Sequence, residues 1–250
     1  MLIPITTARD ILIFQQNSHF LTMAADTLGA IGAKPADCFS VPPEVCGRLT
    51  ARVCLQETLA VGAAPVALMA LICNERDPTG TRLLTGVRAE LADAGYAGIP
   101  VGGSSEDNMA TTMTALGITL LGECTTLAWR QARPGDGIYL VGRPYVGQEV
   151  LTHLAELLTP VRTQQLRTLP EVGDVLPCGS RGAAWELQVL TRETGLTIHV
   201  QPDINPELLS RSAGPATCAI VTAHEPFILE GISVERLGTV GDLLDLPSNP

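Results

Sequence analysis

Asp26-Thr-Leu-Gly29-Ala-Ile-Gly32-Ala-Lys34 sets an acid, two glycines and the only lysine of the chain, against fifteen arginines, within nine residues. Lysine presents a compact ammonium where arginine presents a broad planar fork. A chain that uses arginine elsewhere and keeps one lysine beside a glycine-rich turn invites a phosphate-binding reading. Immediately upstream, residues 10–16 and 19–25 are apolar runs separated by Asn17-Ser18, a turn-forming pair, and they read as two strands. Each run carries a carboxylate at one end: Asp10 opens the first and Asp26 closes the second.

Working outward, a proline-rich loop at 35–43 leads into residues 46–61, which have helix-forming composition and no internal Gly or Pro. At 100° per residue Cys46, Leu49, Val53 and Ala60 share one face, and Glu57 falls in the same stripe. A carboxylate there is costly unless a cation or hydrogen bonds meet it. Gly62 ends the helix, and 65–73 is a continuous apolar run that reads as a strand buried on both faces. A second helix, 79–94, is closed by Gly95. A short strand at 99–101 then opens into the loop Gly102-Gly103-Ser104-Ser105-Glu106-Asp107-Asn108, and 111–121 reads as a further strand. The first half is thus β-β-α-β-α-β-β.

Polar residues at 122–133 mark a hinge, so two domains are expected, 1–123 and 134–250. The second opens with a strand at 138–142, followed by a helix with Val150, Leu154, Leu157 and Leu158 on one stripe. A helix at 181–194 and strands at 196–200, 216–222 and 226–232 complete a second α/β unit.

Composition narrows the classes of function. Hydrophobic residues make up 46% of the 250 and aromatics only 4%, so the core is built from small aliphatic side chains. A formal charge of −10 argues against a nucleic-acid partner and favours a small ligand. Seven cysteines without a C-x-x-C pair indicate reduced thiols and a cytoplasmic setting. No signal peptide is evident, and the longest apolar run, 61–73, is too short to cross a bilayer, so no membrane association is expected. The four histidines are dispersed without ligand spacing.

Chemistry therefore concentrates in the first half. Carboxylates at Asp10, Asp26 and Glu57 suit Mg²⁺, which keeps waters and takes few protein oxygens, and glycine-rich turns let backbone N–H groups approach phosphate. The Lys34 segment does not satisfy the G-x-x-x-x-G-K-[ST] phosphate loop, which excludes that nucleotide-hydrolase fold.

Taken in order, these pieces resemble the aminoimidazole ribonucleotide synthetase superfamily of ATP-dependent small-molecule enzymes, over most of the chain. The segment 26–34 is similar to its Asp-glycine-lysine stretch. Glu57-Thr-Leu-Ala-Val-Gly62-Ala-Ala-Pro65 looks like its helix-ending acid followed by Gly-Ala-x-Pro. Gly102-Gly103-Ser104-Ser105 occupies its Gly-Gly-acid-Thr loop, and Ser212-Ala-Gly214-Pro-Ala-Thr217 its C-terminal strand entry. Within the superfamily the chain is most similar to the α-ribazole kinases of cobalamin salvage, in Thr50-Ala-Arg52-Val-Cys-Leu-Gln-Glu57, Gly103-Ser-Ser-Glu106-Asp107-Asn108, Gly179-Ser-Arg-Gly182 and Ser212-Ala-Gly-Pro-Ala-Thr217. Three departures stand out: Glu57 replaces an Asp, Ser104 replaces an acid, and Arg9 occupies one place of a paired acid at Asp10.

The resemblance implies a two-domain α/β (α+β) fold of the aminoimidazole ribonucleotide synthetase type. Its N-terminal mixed sheet carries helices on one face, and a C-terminal α/β domain follows. It further implies ATP with Mg²⁺ on Asp10, Asp26 and Glu57, with Glu106 or Asp107 as the further acid facing the metal, and nucleotide contacts from Gly29, Gly32, Lys34, Gly102, Gly103, Ser104, Ser105 and Asn108. Lys34 would neutralise the transferring phosphoryl group and Asp107 would orient the acceptor hydroxyl. Ser180, Ser212 and Gly214 would touch a riboside or heterocycle substrate, and two copies would join through their N-terminal domains. The acceptor reads as α-ribazole, with thiamine monophosphate or another heterocycle riboside as the alternative. A nucleotide-binding protein without turnover is the third reading, because Glu57 and Ser104 alter the metal shell. Cys178 reads as an inert thiol and Trp185 as core or a wall for a planar base.

Overall fold

The computed structural model describes residues 2–224 and 226–244, and the chain divides into two compact units, Met1–Leu127 and Ala128–Pro250. The first contains β1 (Ile3–Ile5), β2 (Ile11–Gln16), β3 (His19–Gly29), β4 (Ile31–Gly32), β5 (Phe39–Ser40), α1 (Pro43–Ala60), β6 (Ala64–Ile72), α2 (Thr81–Asp93), β7 (Val101–Ser105) and β8 (Ala115–Cys124). Six strands form one mixed sheet in the order β1-β2-β3-β8-β6-β7, with only the β6–β7 pair parallel; β4 and β5 pair separately. The β2–β3 hairpin closes at Gln16↔His19, where Asn17 takes the left-handed conformation that asparagine tolerates.

Period-two alternation decides which face is covered. Ile11, Ile13, Ala24, Leu68, Ala70, Ile72, Leu116, Ile118 and Leu120 are buried, whereas Leu12, Met23, Met69 and Leu71 on the alternate positions are exposed. Both helices lie on the first face, α1 against β3, β8 and β6 and α2 against α1. Burying a side chain such as Ile118 or Leu120 stabilises by about 1.5–3 kcal/mol. The helices meet backbone to backbone: a Cβ on Gly47 would lie 2.0 Å from the Leu83 carbonyl oxygen, and one on Gly86 would lie 1.8 Å from that of Glu44. Arg52, 6% exposed, donates from Nε to Glu90 Oε1 (2.6 Å), and Arg48 Nε donates to Glu90 Oε2 (2.6 Å). Glu90 is thereby compensated inside the helix pair.

Several sequence expectations shift here. Asp26 does not end its strand; β3 runs on to Gly29 because β8 offers ten consecutive partners. Residues 102–105 are not loop but strand, hydrogen-bonded in parallel to Met69–Ile72. The strand expected at 111–121 begins at Ala115. The helix expected from 46 starts at Pro43, since proline is favoured in a first turn, where no N–H partner is needed. In α1, Glu44, Val45, Arg48, Val53 and Glu57 are half-buried and the remaining residues are buried.

The second unit contains β9 (Gly137–Gly142), α3 (Gln148–Thr152), α4 (Pro160–Thr168), β10 (Val172–Pro177), α5 (Gly182–Thr194), β11 (Leu196–Val200), α6 (Pro206–Ser210), β12 (Cys218–Ala223) and β13 (Val234–Leu243). Its sheet, β10-β12-β9-β13-β11, is antiparallel throughout. The long helix expected around 150–158 is only α3; Leu154 is 44% exposed, while Leu157 and Leu158 are buried in the turn that follows. Residues 226–232 are not a strand: Phe227 packs on Tyr139 (centroids 4.8 Å apart) while Ile228 stands 75% exposed. The strand is β13, which contains Gly238 and Gly241. In space they admit the neighbouring edge, since Cβ atoms there would fall 2.0 Å from the His199 carbonyl oxygen and 2.3 Å from Thr197 Oγ1. Among the described residues no helix is long and apolar enough to cross a membrane.

Candidate functional site

Asp26 faces the helix side of the first sheet, opposite Ile118 in the β3–β8 ladder and in phase with buried Thr22 and Ala24. Directly above it, the Cys54 thiol of α1 points at the Ile118 carbonyl oxygen (3.7 Å). Burial pushes that thiol's pKa up, and the negative charges of Asp26 and then Glu57 push it further, so both carboxylates lie within electrostatic reach of Cys54. Cys54 thus marks the part of α1 that both carboxylates reach. Burial raises the Asp26 carboxyl to about pKa 6, offset in part by a backbone hydrogen bond from Thr27, and no neighbouring cation contributes to lowering it. A carboxylate held desolvated without a positive partner is a position that gains from a cation.

Beyond Asp26 the chain turns at Ala30, whose φ is +58°. The space where a Cβ on Gly29 would lie is open, as an approach of backbone to ligand requires. Gly32 has a different reason: a Cβ there would lie 2.1 Å from Thr114 Oγ1 and 2.9 Å from Asp37 Oδ2. Lys34 is not presented to solvent. Its ammonium contacts Glu75 Oε2 and donates to the Thr111 carbonyl (3.2 Å), with the side chain 15% exposed. Burial tends to raise the Glu75 carboxyl, but hydrogen bonds from Lys34 and Thr79 outweigh it and hold the group at about pKa 2.

The 102–108 segment divides into strand and turn. Gly103 is demanded by β6, since a Cβ there would meet the Ala70 carbonyl oxygen at 2.1 Å, whereas one on Gly102 would meet only the movable Met69 Sδ, at 2.9 Å. Ser104 is exposed. Asp107 takes a backbone hydrogen bond from Arg76 on Oδ1 (2.8 Å) and the Ser105 hydroxyl on Oδ2 (2.7 Å). Those two bonds hold its pKa below the ordinary value. With both oxygens engaged, Asp107 locks the turn at 105–107. Glu106 Oε1 accepts from the Asn108 N–H (2.9 Å).

Asp10 lies exposed just before β2. Among the described residues no three His, Cys, Asp or Glu side chains form a group able to hold a metal ion. The four acids Asp10, Asp26, Glu57 and Glu106 are therefore not a preformed cage among the described residues. Mg²⁺ needs no complete cage, because one or two carboxylates suffice when phosphate oxygens fill the remaining positions. The desolvated Asp26 carboxyl fits such a role.

Sequence reading passed over Asp37, Asn74, Glu75 and Thr111. Asn74 is fully buried; its Nδ2 donates to Thr111 Oγ1 (2.8 Å) and the Met113 carbonyl (2.7 Å), and its Oδ1 accepts from Ala115 N–H (2.9 Å). Asn74-Glu75 ending the apolar run 65–73 was the available signal.

In the second unit, Ser180, Ser212 and Gly214 come together at one end of the sheet. Ala213 N–H donates to the Gly179 carbonyl (3.1 Å), and a Cβ on Gly214 would lie 4.0 Å from both Ser180 N and Ser212 Oγ. Arg211 pairs with Glu149, and Tyr145 N–H donates to Thr217 Oγ1 (3.0 Å), tying the loop after β9 to the same place. Trp185 is half-buried under the Arg181 and Arg192 guanidinium groups, whose Cζ atoms lie 3.6 and 4.6 Å from its ring centroid. Cys178 is fully buried, and a hydrogen bond with the Cys218 thiol, then burial, push its pKa well up. It is an unreactive thiol.

The two units have the architecture of the aminoimidazole ribonucleotide synthetase-like fold: a mixed sheet covered by helices on one face, then an α+β unit. Solved structures share it. AaThiL complexed with AMPPCP and TMP matches with a TM-score of 0.67 at 15% identity, over 94% of this chain and 85% of that one. Thiamine monophosphate kinase from Aquifex aeolicus matches at 0.66 and 15% identity, over 91% and 88%. T. maritima PurL complexed with ATP matches at 0.58 and 15% identity, over 93% of this chain and 37% of that one. At such identities the likeness is one of fold. No family model and no curated protein sequence matches the chain.

Proposed function

We propose that the chain is an ATP- and Mg²⁺-dependent small-molecule kinase that phosphorylates the 5′-hydroxyl of α-ribazole. The observation that carries the nucleotide reading is Asp26: a desolvated carboxyl raised to about pKa 6, followed by the open backbone turn at Gly29, in a fold shared with structures holding AMPPCP or ATP. Asp26 and Glu57 would hold Mg²⁺, with Glu106 rather than the locked Asp107 as the further acid. The ion when bound supplies charge neutralisation on the phosphate oxygens. Phosphoryl transfer asks the protein chiefly for positioning and electrostatics, so the absence of an activated nucleophile is no obstacle. The turn at 29–34 and Ser104, Ser105 and Asn108 would order the nucleotide. The Ser180, Ser212 and Gly214 cluster would contact the sugar, and Arg181 on Trp185 would border the planar base.

The α-ribazole assignment rests on the four sequence runs that resemble α-ribazole kinases. Thiamine monophosphate is the second acceptor, favoured by the TMP in the AaThiL complex. A nucleotide-binding protein without turnover is the third reading, supported by Glu57 and Ser104 in place of the superfamily's acids.

The test is to incubate protein, Mg-ATP and α-ribazole and follow the riboside by mass spectrometry for a gain of one phosphate, with thiamine monophosphate in parallel. Product from α-ribazole alone supports the first reading, and product from thiamine monophosphate alone supports the second. ATP binding without either product supports the third. We further propose that a second copy covers the exposed apolar face bearing Leu12, Met23, Met69 and Leu71. Met69→Asp is expected to shift a dimer to monomer in light scattering coupled to size-exclusion chromatography; an unchanged mass removes that interface.

A further inference from the structure

The charge of the single lysine is already neutralised within the first unit. Lys34 Nζ contacts Glu75 Oε2 and the Thr111 carbonyl, and Glu75 also accepts from the Thr79 hydroxyl on Oε1 and from Thr111 Oγ1 (3.4 Å) on Oε2. On its other side, Asp37 takes the Lys34 N–H (2.8 Å) on Oδ2 together with Thr114 Oγ1 (2.7 Å), and Thr114 N–H (2.7 Å) on Oδ1. The ammonium is therefore paired with the Glu75 carboxylate while Asp37 holds the Lys34 backbone, which leaves an arriving polyphosphate little net attraction. Moving the ammonium to phosphate would also strand Glu75, whose side chain is only 29% exposed.

The bonds converge on one piece of chain. Residues 74–76 hold the 106–108 turn from one side, through Glu106 N–H to the Asn74 carbonyl (3.0 Å) and Arg76 N–H to Asp107. The side chains of Asn74 and Glu75 hold 111–115 on the other. Lys34 ties that hub to the turn after Asp26. We propose that Lys34 and Glu75 are one positioning unit that pins the 109–114 segment and so sets the 106–108 turn, and that Lys34 does not itself ligate phosphate. The functional part of this rests on the nucleotide reading of that turn; the pin itself does not.

Hydrogen exchange of amides 106–114 and calorimetric Mg-ATP binding, on wild type, Glu75→Gln, Lys34→Met and the double variant, test it. A pin predicts exchange about tenfold faster in each variant and Mg-ATP binding weakened by a common factor of about ten, with the double variant no worse than either single. In turnover, KM for Mg-ATP rises by that factor while KM for the acceptor stays within about twofold. Glu75→Asp, which keeps the charge one methylene short, is expected to fold and fall between wild type and Glu75→Gln. Tighter or unchanged Mg-ATP binding in Glu75→Gln, with loss only in Lys34→Met, overturns the proposal in favour of direct phosphate contact. If wild type binds no Mg-ATP the kinase reading falls separately, and unchanged exchange at 106–114 then overturns the pin.

Discussion

Two aspartates, one in each unit, are withdrawn from water in opposite ways. Asp174 in β10 is 1% exposed, yet its Oδ1 takes Arg130 N–H and its Oδ2 takes Gln131 and Ala132 N–H, each at 2.9 Å. Three backbone donors replace the water it lost, and the carboxylate fastens the chain entering the second unit. Asp26 has a single backbone hydrogen bond and no cation to offset burial, so its acidity is weakened to about pKa 6. Burial alone therefore does not mark a functional acid. What distinguishes Asp26 is desolvation left uncompensated, a condition that persists only where a ligand relieves it or the fold tolerates its cost.

Four experiments test that contrast. Asp26→Asn is expected to lower Mg-ATP-dependent turnover at least about 100-fold, roughly 3 kcal/mol of transition-state stabilisation, measured by steady-state kinetics. A near-normal rate would reduce Asp26 to a tolerated burial. Asp174→Asn puts an NH₂ where a carboxylate oxygen accepts backbone N–H, and is expected to cost about 3 kcal/mol in urea unfolding while leaving Mg-ATP affinity of the folded protein unchanged. Loss of affinity without loss of stability would reverse the two roles.

The pH dependence supplies the third. A raised carboxyl pKa means that the folded chain holds the Asp26 proton more tightly than the unfolded chain does. Its effect is thus neutral or favourable below about pH 4 and becomes a penalty as pH rises through 6, reaching about 3 kcal/mol at most. Asp26→Asn is expected to be more stable than wild type at pH 8, with the gain vanishing below pH 4 in denaturant titrations. A pH-independent difference would mean that the carboxyl is not desolvated. Smallest of the four is the ion itself: Mg²⁺ with ATP is expected to raise the melting temperature of wild type by about 2–4 °C at pH 8, less at pH 5 where Asp26 is protonated, and not at all in Asp26→Asn.

Much of this was readable along the chain, for identifiable reasons. The α1–β6 unit declares itself because helix, glycine stop and apolar strand follow one another with unmixed signals. Gly62, at φ +79°, and Gly95, at +86°, are where left-handed stops belong. Asp26 also stands out along the chain, as the acid before a glycine-rich turn, though its uncompensated burial does not. Glycines were the main source of error. Gly102 and Gly103 read as a phosphate loop, yet they lie in an edge strand where Gly103 packs too closely on the Ala70 backbone for a side chain. The last strand reads as 226–232 in sequence but is β13, whose Gly238 and Gly241 admit the close approach of β11. β10, Val172-Gly-Asp-Val-Leu-Pro, escaped notice because its Gly, Asp and Pro are turn formers by composition, and only the three donors to Asp174 make the aspartate at home there.

By itself the sequence determined the inventory and its order: two units, an acid before a glycine turn, a helix ending in Glu57-x-x-x-x-Gly62, a serine-rich acidic stretch, and one lysine. These are local properties, set by periodicity, stop signals and spacing. Tertiary structure alone decided what each group is attached to. It gave the Lys34 ammonium to Glu75, engaged both oxygens of Asp107 and left Asp26 without a cation. Charge compensation is a property of neighbours brought from 41 residues away, as Glu75 is from Lys34, and no local pattern encodes which neighbour arrives.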